Sequence, residues 1–249
     1  EAVCLMGNHE LNAVHFATEH PEFAGQFLRP RSDKNLRQHF AFLQEYHLHG
    51  EGAHDLENDI AWLAGLPLWL ELDGMQAIHA CWSPDHLGRL SPELDRQRMT
   101  SDRVWQRTAT PGDELMDAAE VILKGAEIEL PAGAEFLDKD NHPRRHARLK
   151  WWVPDPSSIQ NAVIGPPELF EALERQPELP CFTPTVPALE KPTFFGNYWC
   201  TPIRGRPWLG GAMAAGLDFG IARPEGLLGV YRWDGEDRLY ATKLIGFDI

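Results

Sequence analysis

Gly7-Asn8-His9-Glu10, behind the apolar run Ala2 to Met6, is the densest cluster of chemistry-bearing residues in the chain. A glycine lets the backbone turn sharply where a strand ends. The amide oxygen of Asn8 is a hard donor suited to a divalent cation. The imidazole of His9, next to it, can exchange a proton with an attacking or leaving oxygen. Glu10 can orient that imidazole. The same four residues also suit a polar strand-to-helix turn with no chemistry. His79 leaves a second apolar stretch, Ile78-His79-Ala80-Cys81, as either a metal ligand or a core histidine. A basic run spans Arg144 to Lys150. Arg148 alternates with Leu149 ahead of Trp151, and its guanidinium offers a bidentate fork to a phosphate. The competing reading of that run is a solvated charged strand. The other histidines, His15 included, are assigned to core or surface.

These residues need elements to hold them. Glu1 to Met6 reads as a buried strand. Residues 34–49 read as a helix with Leu36, Phe40, Leu43 and His47 on one face. Asp55 to Leu63 reads as a second helix, stopped by Gly65-Leu66-Pro67. Leu68 to Leu72 and Met75 to Cys81 read as strands joined at Asp73-Gly74. Residues 83–112 are polar and irregular. Asp113 caps a helix that turns Leu115, Ala118, Ala119 and Ile122 inwards. The proline-rich residues 154–192 wrap the surface. Phe194-Phe195 runs into a turn at Gly196-Asn197. Leu227 to Trp233 and Leu239 to Ile245 form a closing hairpin around Asp234-Gly235-Glu236. Helices and strands alternate throughout, which predicts an α/β or α+β class. No linker divides the chain, so residues 1–249 are expected to form a single domain.

Bulk properties narrow the function. The chain has 249 residues, 43% of them hydrophobic, enough for one large domain with its own core or for two small ones. No apolar stretch is long enough for a membrane span. The net charge of −14 repels long polyanions and disfavours non-specific nucleic-acid binding. It leaves room for a small phosphorylated substrate, because bound metal cations reverse a local potential. Cys4, Cys81, Cys181 and Cys200 are scattered, which fits reduced thiols in a cytoplasmic protein.

Taken in order, Asn8-His9-Glu10, Trp62 to Pro67, Ile78-His79-Ala80 and Phe195-Gly196-Asn197-Tyr198-Trp199 resemble the calcineurin-like metallophosphoesterases of phosphoprotein-phosphatase type. That group includes bacterial serine/threonine phosphatases and symmetrical diadenosine tetraphosphatases. Leu123-Lys124-Gly125, Asp138-Lys139-Asp140 and Trp151-Trp152 resemble a bacterial subgroup within it. The resemblance implies a hydrolase with a β-sandwich flanked by helices. It implies two divalent metals, manganese first and iron or zinc as alternatives. Asn8 and His79 resemble ligands of the second metal, and His9 the histidine that protonates the leaving group. Arg148 is the candidate for substrate binding. The substrate would be a phosphomonoester, a phosphoprotein or a nucleotide anhydride. A metal-bridging hydroxide would attack phosphorus in line.

The sequence departs from that pattern twice. The family's Asp-x-His and Gly-Asp-x-x-Asp-Arg motifs, which precede Asn-His-Glu, are not in this chain, so the expectation is a domain lacking its N-terminal metal-binding segment. Where the family has Gly-His, this chain has Gly196-Asn197, and an amide is a poorer ligand than imidazole for manganese, iron or zinc. The expected ligand set is Asn8, His79 and Asn197, with weak or absent metal binding by this chain alone. The competing function is an inactive domain of the same fold used for binding or scaffolding.

Overall fold

A computed structural model describes residues 2–48, 52–137, 142–153, 156–175, 188–203, 205, 207 and 209–248. Asp138-Lys139-Asp140 and Cys181 lie outside these. The chain is mixed α/β and divides into two compact units: Glu1–Leu70 with Pro84–Leu123, and Glu71–Ser83 with Lys124–Ile249.

The first unit is helical. Its helices are α1 (Asn8–Ala17), α2 (Asp33–Leu48), α3 (Gly52–Ala64), α4 (Pro84–Leu90), α5 (Asp102–Ala109) and α6 (Glu114–Lys124). Local signals set their ends. Ser101 accepts the Val104 N–H in front of α5. Asp113 accepts the Leu115 N–H at 2.9 Å in front of α6. Arg107 ties these helices to their surroundings through Glu93, Asp113 and Glu114 at 3.0 to 3.1 Å. Leu115, Ala118, Ala119 and Ile122 are buried, as their spacing requires.

Three expectations fail in this unit. Ala2 to Leu5 form no strand, and Val3 is 52% exposed. A strand needs a ladder, and the backbone bond that holds this segment runs from Met6 N–H to the Pro67 carbonyl at 2.9 Å. In α2 the predicted face does not turn fully inwards, and of its residues Leu43 is half-buried. Leu36 and Phe40 are exposed, while His39 is buried against Phe16, with ring centroids 4.6 Å apart. Residues 83–112 are not irregular either, since α4, a 3-10 turn at Ser91–Glu93 and α5 occupy more than half of them.

The second unit holds the sheets. The chain enters it along β1 (Trp69–Glu71) and turns at Asp73-Gly74 into β2 (Gln76–Ile78), with the Leu72 N–H bonded to the Met75 carbonyl at 2.9 Å. Then come β3 (Glu127–Glu129), β4 (Phe136–Leu137), β5 (Pro143–Arg144), β6 (His146–Leu149), α7 (Ile159–Ala162), β7 (Val163–Ile164) and α8 (Pro167–Glu174). The chain closes with β8 (Thr193–Phe195), β9 (Ala214–Gly216), β10 (Asp218–Phe219), β11 (Leu227–Tyr231) and β12 (Leu244–Phe247). Strands β2, β8 and β9 run parallel, with Ile78 opposite Phe195 and Phe195 opposite Gly216. All three residues of β8 are buried, as a central parallel strand demands. Strands β3, β6 and β7 form a separate antiparallel sheet.

The proline-rich stretch is more than a surface wrap. Leu169 and Leu173 of α8 are fully buried. The closing hairpin exists, but its second arm begins at Leu244 rather than Leu239. The intervening residues are gathered by Glu236, whose carboxylate accepts from Tyr231 and Lys243, each at 2.7 Å. Partial burial alone would raise the pKa of Glu236. The bonds from Lys243, Tyr231 and the Asp234 N–H outweigh it and hold the group at about 2.

Candidate functional site

In the first unit, Gly7 caps α1 from an extended conformation, φ −105° and ψ 177°. The predicted sharp turn is therefore absent, and Gly7 uses no left-handed freedom. Asn8, His9 and Glu10 are the first three residues of the helix. Asn8 is half-buried and His9 exposed. One turn on, Asn12 accepts a bond from the Arg29 guanidinium at 2.9 Å, and Gln38 accepts a second at 2.7 Å. Burial, then the charges of Arg29 and His9, hold the His39 imidazole below its usual range. Arg29 therefore stands one turn beyond the start of α1 as a half-buried cation, with the His39 imidazole held in its neutral form. The sequence pattern missed Arg29 and His39, because no local spacing ties them to Asn8. His15 is buried; its Nε2 lies 3.2 Å from the Thr108 hydroxyl, and its ring meets Trp105 edge-on. That is a core histidine, as expected.

In the second unit, His79, Asn197 and Arg148 come together. Strands β2 and β8 are adjacent and parallel, and leave the sheet at the same level. The Gly196 N–H donates to the His79 carbonyl at 2.8 Å across that exit. Asn197 follows in the left-handed region, φ 58°, which asparagine tolerates better than most residues. Its side-chain amide donates to the Lys124 carbonyl at 3.2 Å. The Arg148 guanidinium donates to the Asn197 carbonyl at 2.8 Å and lies 5.6 Å from the Tyr198 ring centroid. Arg148 is half-buried between neighbours on β6 that are buried, so it is not part of a merely solvated strand.

An aromatic wall backs this corner. Trp151 is 1% exposed, packs 4.9 Å from Phe195, and donates its indole N–H to the Ala80 carbonyl at 3.0 Å. Trp152 meets Tyr198 edge-on at 4.8 Å. Burial keeps the Tyr198 phenol well above its usual pKa. It also lifts the Cys81 thiol to about 12 and the Cys200 thiol to about 11. Both cysteines stay protonated near neutrality and are not activated thiolates.

The donors offered to a metal are neutral: the His79 imidazole and the Asn197 amide in this unit, and the Asn8 amide in the first. Among the described residues, no group of three or more histidine, cysteine, aspartate or glutamate side chains converges as a metal site. Neutral donors without a carboxylate do not fit a divalent-ion site by themselves. Among the described residues, no helix is long and apolar enough to cross a membrane. The chain matches no protein-family model, and no curated protein or solved structure is significantly similar to it.

Proposed function

We propose that this chain carries part of a calcineurin-like phosphoesterase site and acts on a phosphomonoester or a nucleotide phosphoanhydride. The observation that supports this most is the adjacency of His79 and Asn197 at the exits of parallel strands β2 and β8. Ligands of α/β proteins gather outside the carboxyl ends of parallel strands. The two residues were singled out from sequence segments more than a hundred positions apart. Arg148, bonded to the same loop, supplies a guanidinium for phosphate oxygens. In the first unit, Arg29 places a guanidinium one turn beyond the exposed His9, and a cation there favours an anionic group.

In such enzymes two metal ions supply the nucleophile and neutralise charge on phosphorus. The neutral donors His79, Asn197 and Asn8 do not fit that pair unaided. The roles left to this chain's residues are orientation by Arg148 and proton donation by His9.

A second reading has its own support. The Asn197 amide is bonded to Lys124 and the residue sits in a conformation that suits asparagine, so its role can be structural. The chain would then keep the fold for binding or scaffolding.

Hydrolysis of p-nitrophenyl phosphate with manganese tests both readings. The enzyme reading expects turnover that falls about tenfold or more in His79→Ala and Arg148→Met. No turnover in the natural chain or in Asn197→His would leave the inactive domain as the correct description.

A further inference from the structure

Beside the Arg148 corner, the second unit holds a cavity of about 720 Å³ whose walls include Trp152, Tyr198 and Ile164. Sites for small organic ligands fall in that size range and pair apolar walls with a few fixed polar groups. We propose that this cavity binds a small aromatic anion, with its ring against Trp199 and its charged group on Lys150.

Charge is the first argument. Among the described residues, Lys150 is the only lysine, arginine, aspartate or glutamate lining this cavity, in a chain of net charge −14. It follows Arg148 by two residues at the end of β6, so the two cations share a face, while Leu149 is buried on the other. Lys150 is half-buried, no described carboxylate pairs with it, and burial pushes its pKa down. A partly desolvated ammonium without a counter-ion favours an incoming anion. Cys200 also lines the cavity, but its raised pKa keeps it neutral.

The state of Trp199 is the second argument. Its ring is 62% exposed, and its backbone holds φ 33°, a costly conformation for a bulky residue. The Arg223 guanidinium stacks 3.8 Å from the indole centroid. Arg223 lines a neighbouring cavity of about 560 Å³, whose wall Trp199 shares. Trp199 therefore stands between two cavities, with a cation stacked on it from the second. An exposed indole fixed in this way is a platform for a planar ring. Ser157, Asn161 and Thr201 add hydrogen-bonding groups to the same cavity.

The proposal does not rest on the phosphoesterase reading, because binding is measured without metal and without turnover. Calorimetry on the full chain in a chelator compares AMP, 1-naphthoate, adenosine and inorganic phosphate. Binding of AMP alone identifies a phosphate-bearing ligand, and binding of 1-naphthoate a carboxylate-bearing one. Either supports the site, provided that adenosine and phosphate bind about tenfold more weakly or worse. Trp199→Ala should weaken the bound anion about fivefold or more. Lys150→Met should do the same, and Lys150→Arg should restore binding. Circular dichroism checks folding, and Trp199→Phe replaces Trp199→Ala if the latter is perturbed, with retained binding expected. The proposal fails if neither anion binds, if adenosine binds as tightly as AMP, or if folded Lys150→Met and Trp199→Ala bind unchanged.

Discussion

Replacing Trp151 with phenylalanine should destabilise the second unit by about 2–4 kcal/mol. The indole N–H donates to the Ala80 carbonyl at 3.0 Å, and Ala80 is fully buried. Phenylalanine cannot donate, so that carbonyl loses its partner where water cannot replace it, at about 1–3 kcal/mol. The lost ring volume leaves a gap beside Phe195 and Trp152, which adds a cavity cost of order 1 kcal/mol. Urea unfolding followed by near-ultraviolet circular dichroism reads this directly. With a slope of about 2–3 kcal/mol/M, the midpoint should fall by roughly 1 M at unchanged slope. Phe195→Leu is the control, because it removes the ring contact at 4.9 Å but keeps the N–H bond. It should cost clearly less. A loss below about 0.5 kcal/mol in Trp151→Phe would show that the bond next to His79 does not hold the end of β2 in place.

Three more outcomes follow from the same structure. Gly125 has φ +102°, and a Cβ there would collide with the Tyr198 hydroxyl; Gly125→Ala should therefore cost about 2 kcal/mol or more in chemical denaturation, against a small gain at a relaxed glycine. His39 is held neutral in the folded chain, so the unfolded chain binds more protons below the ordinary imidazole pKa; stability of the first unit should be complete above about pH 6.5 and fall as pH drops through and below it, and His39→Gln should flatten that slope in thermal melts across pH 5–7. Ser101→Ala removes the cap of α5 and should cost about 1 kcal/mol, measured by urea midpoint.

What the sequence made legible follows the range of the forces involved. α2, α3 and α6 are written in short-range periodicity and caps, and they appear within a few residues of their expected bounds. Strand β2 and the Gly196-Asn197 exit of β8 were readable as apolar runs meeting a turn, although the ladder that joins them is long-range. The failures are non-local. Ala2 to Leu5 have strand composition, but composition does not provide a ladder. Which face of α2 turns inwards depends on Phe16 receiving His39, and no spacing within α2 encodes that. Of the site, His79 and Arg148 follow from local pattern and Asn197 from the family resemblance alone, while the Gly196 and Arg148 bonds that join them emerge only in three dimensions. The part played by Lys150 and Trp199 was not legible, because partial burial of a charge and a strained backbone leave no mark in a sequence.

The left-handed backbone at Asn197 has an evolutionary consequence. Asparagine, aspartate and histidine are the side-chain-bearing residues that visit this conformation most readily. An imidazole and an amide can thus replace one another at this position with little change to the loop that presents them. A lineage can exchange an amide for an imidazole here, or the reverse, while keeping the backbone conformation of the loop. Foldability and chemistry are then separately heritable at this single position.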